Sequence, residues 1–364
     1  MTSGHTTGEH PTDEEGTVTM ALNVLLATDH FETTDVLEQA LRAELPDTRI
    51  SAISSDWPIV PMADIEEVHE AAGEVDELID ALQGKQVCFS HAFPITERVF
   101  EACPELRQVT ICRGGPVNVN LDAATRHGVQ VTFAPGRNAT ATAEHTIAMI
   151  MAAVRQIPAH HEVMRSGAWE GDAYRYDRVG MEIRGNDVGV IGLGAVGSRV
   201  AAIMAAMGAR VRVFDPWADP SRLGPGMELV DTLDELLASS RIVTVHARAT
   251  AENHHMIAAP QIAMMPAGSV LVNCARGSLL DYEAACDALE SGHLYGAAFD
   301  CLPSEPLPPG SRLLSVPRVV LTPHIGGASK QAAELAARIG AADIAALALG
   351  DRPVHLANPE VLDG

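Results

Sequence analysis

The hydrophobic positions of the chain fall into two alternating rhythms. Short apolar runs rich in β-branched residues, "LNVLLAT", "RISAIS", "QVCFS", "QVTIC" and "VQVTF", are separated by segments whose apolar positions recur at helical spacing, "TTDVLEQALRAEL", "EVDELIDAL", "TERVFEAC" and "LDAATRH". A strand buried on both faces needs a continuous apolar run, whereas a helix covering a sheet needs only one apolar stripe. The alternation therefore predicts a parallel α/β sheet. Asn120 stands where the helix "LDAATRH" needs an N-cap, and Gly128 stands where it must end.

A long apolar helix, "ATAEHTIAMIMAAVRQI", separates this series from a second one. There the strands read "DVGVIG", "ARVRVFD", "IVTVHA", "SVLVNCA", "LYGAAFD" and "RVVL". The helices between them include "AVGSRVAAIMAAM", "TLDELLASS" and "DYEAACDALES", with a short one between "IVTVHA" and "SVLVNCA". Thr232 and Glu235 have capping-box spacing, and Gly292 closes the helix before "LYGAAFD". The last helix reads "SKQAAELAARIGAADIAALAL". The fold class is α/β, and no repeat of solenoid period interrupts it.

Composition narrows the function. The chain has 364 residues, 47% of them apolar, enough for about two domains at ~150 residues each. Asp and Glu number 48 against 25 Lys and Arg, a net charge of −23 with no basic run. That excludes nucleic acid and anionic membranes as expected partners. No apolar run reaches membrane-spanning length, and the N-terminus lacks a basic-then-apolar leader pattern, so the expected address is the cytoplasm. Residues 1–19 are polar and aperiodic, a tail expected to be disordered, and Met20 is a candidate start. The six cysteines, Cys88, Cys103, Cys112, Cys274, Cys286 and Cys301, show no CxxC spacing. They read as buried thiols, and no metal site is expected.

The first chemical signal is "VIGLGAVG", which places Gly192, Gly194 and Gly197 in G-x-G-x-x-G spacing between a strand and a helix. Gly192 permits the tight turn, Gly194 lets backbone approach a pyrophosphate, and Gly197 lets helix and sheet pack closely. Ala195 and Val196 lie at the helix start, where backbone N–H groups face phosphates. Asp215 ends the next strand, 21 residues past Gly194. It suits a ribose-binding carboxylate that repels a 2′-phosphate, which favours NAD over NADP. Arg248, in "VHARATAEN", is a complication if it also lies near the cofactor.

Three further residues follow apolar strands. Arg276 lies in "VNCARGSLLD", Glu305 in "FDCLPSEPLP", and His324 in "LTPHIGGAS", a tight turn from strand to helix. Each has a structural alternative: Arg276 could bind a helix C-terminus, Glu305 could be a solvated loop acid, and His324 could bond backbone. Ligands of open α/β sheets bind beyond the carboxyl ends of the strands. Downstream of a dinucleotide loop, the three together suit hydride transfer.

These motifs, with "NLDAATRHGVQVTFAPGRNATATAEHTIAMIMAAVRQI", "SGAWEG" and "GAAFDCLPSEP", make the chain similar to the NAD-dependent D-2-hydroxyacid dehydrogenase family from about residue 106 to 350. It is nearest to phosphoglycerate-dehydrogenase-like members. The resemblance implies two Rossmann- or flavodoxin-like parallel-sheet domains with the active site in a cleft between them. The substrate domain would comprise residues 20–136 and 323–364, and an NAD-binding domain, 137–322, would be inserted. It implies a homodimer built on the nucleotide domains. It implies that Arg276 holds the substrate carboxylate and polarises the C2 carbonyl, that His324 is the general acid and base, and that Glu305 tunes it. It also implies cofactor contacts at His246, Ala275 and Asp300, the last to the nicotinamide carboxamide. Substrate contacts would come from Arg113, Gly114 and Gly115.

Two departures stand against the family pattern. The loop "RGGPVNVN" is about two residues shorter than the family's R-A-G-x-G-V-D-N, and Pro116 has no N–H to offer. The family's H-x-P-L is "HARA" here, with Arg248 at the proline position. Tyr174, Arg175 and Tyr176, in "GDAYRYDRVG", are candidates for substrate contact or for a surface loop. The leading expectation is reversible reduction of a small 2-oxoacid to a D-2-hydroxyacid. The alternatives are a dinucleotide-sensing, corepressor-like binding protein, and a cousin acting on phosphite. Formate dehydrogenase is disfavoured because it has Gln where Glu305 stands.

Overall fold

The computed structural model describes residues 22–363; the tail expected over 1–19, and Met20, lie outside the described residues. The chain divides into two compact units, one formed by the chain up to Ala134 together with the segment from Ala337 onward, the other by Pro135–Ala336.

The strands of the first unit are β1 (Asn23–Thr28), β2 (Arg49–Ser54), β3 (Ala63–Ile65), β4 (Val68–Ala71), β5 (Val87–Ser90), β6 (Gln108–Ile111) and β7 (Gln130–Phe133). Five of them form a parallel sheet in the order β2-β1-β5-β6-β7. This is a flavodoxin-like order, produced by right-handed crossovers that wind outward from a central strand. β5 and β6 are buried along their whole length, as their unbroken apolar runs require. β3 and β4 form a separate antiparallel pair that was not expected, because each exposes two of its residues and neither has an apolar run. Asn120 caps its helix as expected, accepting from Ala123 N at 2.9 Å. The last helix, Lys330–Leu349, lies close on this sheet: a Cβ on Gly340 would stand 2.5 Å from the Phe89 ring.

The second unit holds β8 (Asp187–Ile191), β9 (Arg210–Phe214), β10 (Met227–Leu229), β11 (Ile242–Val245), β12 (Ser269–Asn273), β13 (Leu294–Phe299) and β14 (Val319–Leu321). All seven are parallel, in the order β10-β9-β8-β11-β12-β13-β14. The winding direction reverses between β8 and β11, which opens a crevice at their carboxyl ends. The helix expected over 141–157 instead runs Ala139–Val154, and a second helix, Ile157–Arg165, follows it. Pro158 explains the break. It has no N–H for the Val154 carbonyl, and its ring clashes with that carbonyl in a continuous helix. Gln156 takes the left-handed conformation at the joint, with φ 52°. Thr232 caps the helix Leu233–Ser239 by accepting from Glu235 N at 3.1 Å. Among the described residues no helix is long and apolar enough to cross a membrane.

Candidate active site

The glycine loop leaves β8 at the point where the sheet order reverses. Gly192 has φ +93°, and a Cβ there would stand 2.9 Å from the His246 carbonyl; one on Gly197 would stand 1.9 Å from the Gly192 oxygen. Both glycines are required by the fold itself. Gly194 differs, because a Cβ there would meet nothing within 4 Å. Its surroundings are open, as a backbone approached by a pyrophosphate needs. The loop then enters the helix Gly197–Ala206, with Ala195 and Val196 at its mouth. Amides of a first helical turn have no intrahelical acceptor.

Asp215 ties the end of β9 to this loop. One carboxylate oxygen accepts from Leu193 N at 2.7 Å and the other from Trp217 N at 2.9 Å. A carboxylate has about four acceptor positions, so two bonds leave capacity for ribose hydroxyls. His246, after β11, is paired through Nε2 with Thr244 Oγ1 at 3.0 Å. Its Nδ1 is buried with no hydrogen-bond partner among the described residues. Burial pushes its pKa down to about 4, so the ring is neutral at neutral pH. Arg248 is exposed, and its carbonyl accepts from Asn253 Nδ2 at 2.7 Å.

The next three strand ends carry the reactive groups. Beyond β12, Asn273 folds the chain around Arg276: its Oδ1 accepts from Ala275 N at 3.0 Å and its Nδ2 donates to the Arg276 carbonyl at 2.9 Å. Arg276 is exposed, with Nη1 2.8 Å from the Ala275 carbonyl. Beyond β13 the chain turns through Asp300 into the loop of Glu305. Beyond β14 it reaches His324, held at φ +53°, a conformation uncommon for residues other than glycine.

The turn is held by Asp300, which is almost fully buried and whose carbonyl accepts from His324 N at 2.9 Å. Its Oδ1 accepts from Thr322 Oγ1 at 2.6 Å and Ile325 N at 2.9 Å, and its Oδ2 from Gly326 N at 2.8 Å. His145 Nε2 lies 3.1 Å from the same Thr322 hydroxyl and 3.3 Å from Oδ1. Burial pushes the Asp300 pKa up, but these four donors outweigh it and hold the pKa at about 2. The family resemblance implies a nicotinamide contact for Asp300; the structure shows it holding the turn that bears His324. Asn273, Thr322 and His145 were missed as supports, since one polar residue in an apolar run says nothing of which backbone groups it meets.

His324 and Glu305 are brought together, Nδ1 to Oε2 at 2.7 Å, with side chains 41% and 38% exposed. Glu305 Oε1 accepts from Leu302 N at 2.9 Å. The bond from Glu305 raises the His324 pKa, against burial and the Arg276 charge. Burial pushes Glu305 upward, but His324 and the Leu302 amide outweigh it and leave its pKa lowered. Arg113, in the first unit, is instead ion-paired with Glu70 and donates to the Glu70 carbonyl at 2.7 Å. Gly114 and Gly115 have open surroundings. Tyr174 and Tyr176 are 93% and 96% exposed, and Arg175 pairs with Asp177 at 2.9 Å.

Residues 147–326 match the family described as D-isomer specific 2-hydroxyacid dehydrogenase, NAD binding domain. The glyoxylate reductase of Thermofilum pendens is 33% identical over 312 residues, which cover 85% of this chain and 88% of that protein. The chain belongs to the D-2-hydroxyacid dehydrogenase family. The D-3-phosphoglycerate dehydrogenase of Bacillus subtilis is 39% identical over 241 residues, 66% of this chain but 45% of that protein. The chain thus spans about half the length of such phosphoglycerate dehydrogenase relatives. Among solved structures, the TT0316 protein of Thermus thermophilus aligns with a TM-score of 0.78 at 28% identity, covering 92% of this chain and 99% of that one. NAD is the cofactor of this family's nucleotide domain. The open surroundings of Gly194 and the remaining acceptor capacity of Asp215 fit it.

Proposed function

We propose that this chain interconverts a small 2-oxoacid and the corresponding D-2-hydroxyacid, with Arg276, Glu305 and His324 as the reacting set. The observation that supports this most is the 2.7 Å pairing of His324 Nδ1 with Glu305. It commits Nδ1 to the carboxylate and leaves Nε2 as the nitrogen that exchanges a proton with substrate. Bound NAD(H) supplies or accepts the hydride. Arg276 holds the substrate carboxylate with its planar fork and polarises the C2 carbonyl. His324 Nε2 protonates the carbonyl oxygen in reduction and takes the hydroxyl proton in oxidation. Glu305 stabilises the imidazolium while the proton is held.

Gly114 and Gly115, whose surroundings are open, offer backbone to the substrate carboxylate, and Arg113 stands beside them. Asp215 opposes a 2′-phosphate, so NAD(H) is preferred; higher kcat/KM with NADPH than with NADH would overturn that preference. Asp300 and Ala275 would hold the nicotinamide end of the cofactor, and His246 would stand near its pyrophosphate.

The protein acts as a homodimer in the cytoplasm. The helices Ala139–Val154 and Ile157–Arg165 share a shallow depression lined by Met151, Arg155, Ile157, His160, His161 and Met164. The following segment exposes Trp169, Tyr174 and Tyr176. Such an apolar and aromatic surface suits a second copy better than water. All six cysteines are buried and none is in a disulfide, which suits a reducing compartment.

The deciding experiment is NADH oxidation with glyoxylate, hydroxypyruvate, 3-phosphohydroxypyruvate and phosphonopyruvate. Turnover with at least one is expected, and none with any would overturn the reading. The corepressor-like and phosphite readings have no observation in their favour. Sedimentation equilibrium tests the dimer, with Tyr174→Ser and Tyr176→Ser expected to weaken it.

A further inference from the structure

One side chain beside the reacting set has no task in the proposed chemistry. Cys301 follows Asp300 directly and opens the loop of Glu305. It is 1% exposed, and its sulfur donates to the Ala275 carbonyl at 3.3 Å. Burial, with the Asp300 charge beside it, pushes the thiol pKa up. Its sulfur, a Glu305 carboxylate oxygen and a His324 ring nitrogen all lie within 4.8 Å of one another, the one such group among the described residues. These three residues come from two strand ends, with a metal-ligand spacing that no sequence pattern encodes.

The donor set selects the ion. A thiolate with an imidazole and a carboxylate suits a borderline-soft, tetrahedral cation, and is wrong for magnesium or calcium, which take oxygen ligands. Zinc bonds of about 2.3 Å to sulfur and about 2.0–2.2 Å to nitrogen and oxygen set tetrahedral donors about 3.3–3.6 Å apart. No two of the three stand farther apart than 4.8 Å, so the widest pair closes by about 1.5 Å at most, while His324 Nδ1 and Glu305 Oε2, 2.7 Å apart, open by about 0.6 Å. His324 and Glu305 are the partly exposed members, so the ion enters from their side and meets the buried sulfur last.

We propose that Cys301, Glu305 and His324 form an inhibitory site for Zn²⁺ or a like thiophilic cation. On binding, the Cys301 thiol gives its proton to solvent as the metal–sulfur bond forms. The ion's charge stabilises the thiolate that burial alone disfavours. The Nδ1 proton of His324 moves to Nε2 in the neutral ring, or goes to solvent from the imidazolium, so that an Nδ1 lone pair and one of the carboxylate complete three protein ligands and leave the fourth position open to water or a substrate oxygen. The bound ion replaces the hydrogen bond between His324 and Glu305, so the imidazole no longer transfers a proton. Metal binding here stands without the proposed activity, whereas inhibition rests on it.

The test uses the full chain in two independent arms. In the first, without substrate, Co²⁺ is titrated while thiolate-to-cobalt charge transfer is followed in the near ultraviolet, and Zn²⁺ affinity is measured by calorimetry. The expected result is one charge-transfer band per chain, displaced by Zn²⁺, absent in Cys301→Ser and Cys301→Val. Loss of one ligand of three should weaken Zn²⁺ by about tenfold or more. Exposed pairs such as His254 and His255, whose rings stack at 4.0 Å, would bind cobalt without that band. If a Cys301 variant does not fold, His324→Ala and Glu305→Gln decide: each should weaken Zn²⁺ and alter the cobalt spectrum. An unchanged cobalt band and Zn²⁺ affinity in any folded variant of the trio overturns the site. In the second arm, Zn²⁺ should inhibit NADH-dependent turnover reversibly with EDTA, and Cys301→Val should keep its metal-free rate and lose the inhibition. Inhibition undiminished in Cys301→Val overturns the inhibitory role. Absence of turnover from metal-free wild type defeats the proposed activity and leaves the first arm standing.

Discussion

Nδ1 of His324 lies 2.7 Å from Oε2 of Glu305, and the same carboxylate is anchored at its other oxygen by the Leu302 amide at 2.9 Å. The carboxylate is thus fixed before the imidazole meets it. The two pKa values move apart, Glu305 down and His324 up, as mutual stabilisation of an ion pair requires. An unperturbed histidine titrates near about 6.5. Reduction needs the imidazolium, so kcat/KM for the oxoacid should fall as pH rises through the raised His324 value. Oxidation needs the neutral ring and should rise over the same range. Glu305→Gln removes the largest cause of the shift and should move both limbs to lower pH, while His324→Ala should abolish them. Profiles in both directions at saturating cofactor decide it; limbs that stay in place in Glu305→Gln would show the two residues uncoupled.

Arg276 extends from the end of β12 with one short bond, to its neighbour's carbonyl, so its fork is available to substrate. Arg276→Lys keeps the charge and loses the planar pair of donors. A loss of about 2–3 kcal/mol in kcat/KM is expected, the worth of a charge-assisted bond made at the transition state. Thermal stability should hardly change, because the side chain is exposed. Near-normal kinetics would move the role to another guanidinium, Arg113 first.

Gly194 and Gly197 should fail differently. Gly197→Ala drives a Cβ to 1.9 Å from the Gly192 oxygen, an overlap only backbone movement relieves, and should destabilise the fold by about 2–3 kcal/mol or more. Gly194→Ala has open space in the free protein, so its melting temperature should hold while NAD affinity falls. Calorimetric melting with and without NAD separates the two; a Gly194→Ala variant that binds NAD normally would remove the cofactor from that face of the loop.

Asp300→Asn tests the turn beneath His324. The amide keeps one acceptor and turns an NH₂ toward Gly326 N–H or toward the Thr322 and Ile325 donors. Either way a buried donor loses its partner, at a cost of about 1–3 kcal/mol. The variant should melt lower and lose kcat more than KM. In wild type the depressed pKa, about 2, means this contribution is complete above the ordinary carboxylate range and is lost as pH falls toward 2. The difference in stability between wild type and variant should therefore shrink in acid.

The parts legible in the sequence were those whose cause is local. β5, β6 and β12 announced themselves by unbroken apolar runs, and the glycine loop by spacing that backbone geometry enforces. The helix break at Gln156 was also local, since Pro158 was in view, but the apolar pattern continued across it and masked it. β3 and β4 each expose two of their residues and β10 has a charged residue at its centre, so none of the three shows an apolar run. Asp300 reads as one more acid at a strand end, because its partners are a threonine and two backbone amides that only the β13–β14 register brings near. The separation of Cys301 from His324 is of the same kind: it is set by two strand ends side by side.

β14 has three residues and lies at the rim of its sheet, paired only with β13. Its residues are partly buried, where those of β12 are buried throughout. Edge pairings open by local fluctuation well below the free energy of global unfolding, and amide exchange reports such openings. His324 hangs from this strand, whereas Arg276 hangs from the protected interior of the sheet. The Val319–Leu321 amides should therefore exchange faster than those of Ser269–Asn273. Proton-transfer competence should be lost under mild denaturant before the nucleotide crevice is, so that NAD binding outlasts turnover as urea is raised.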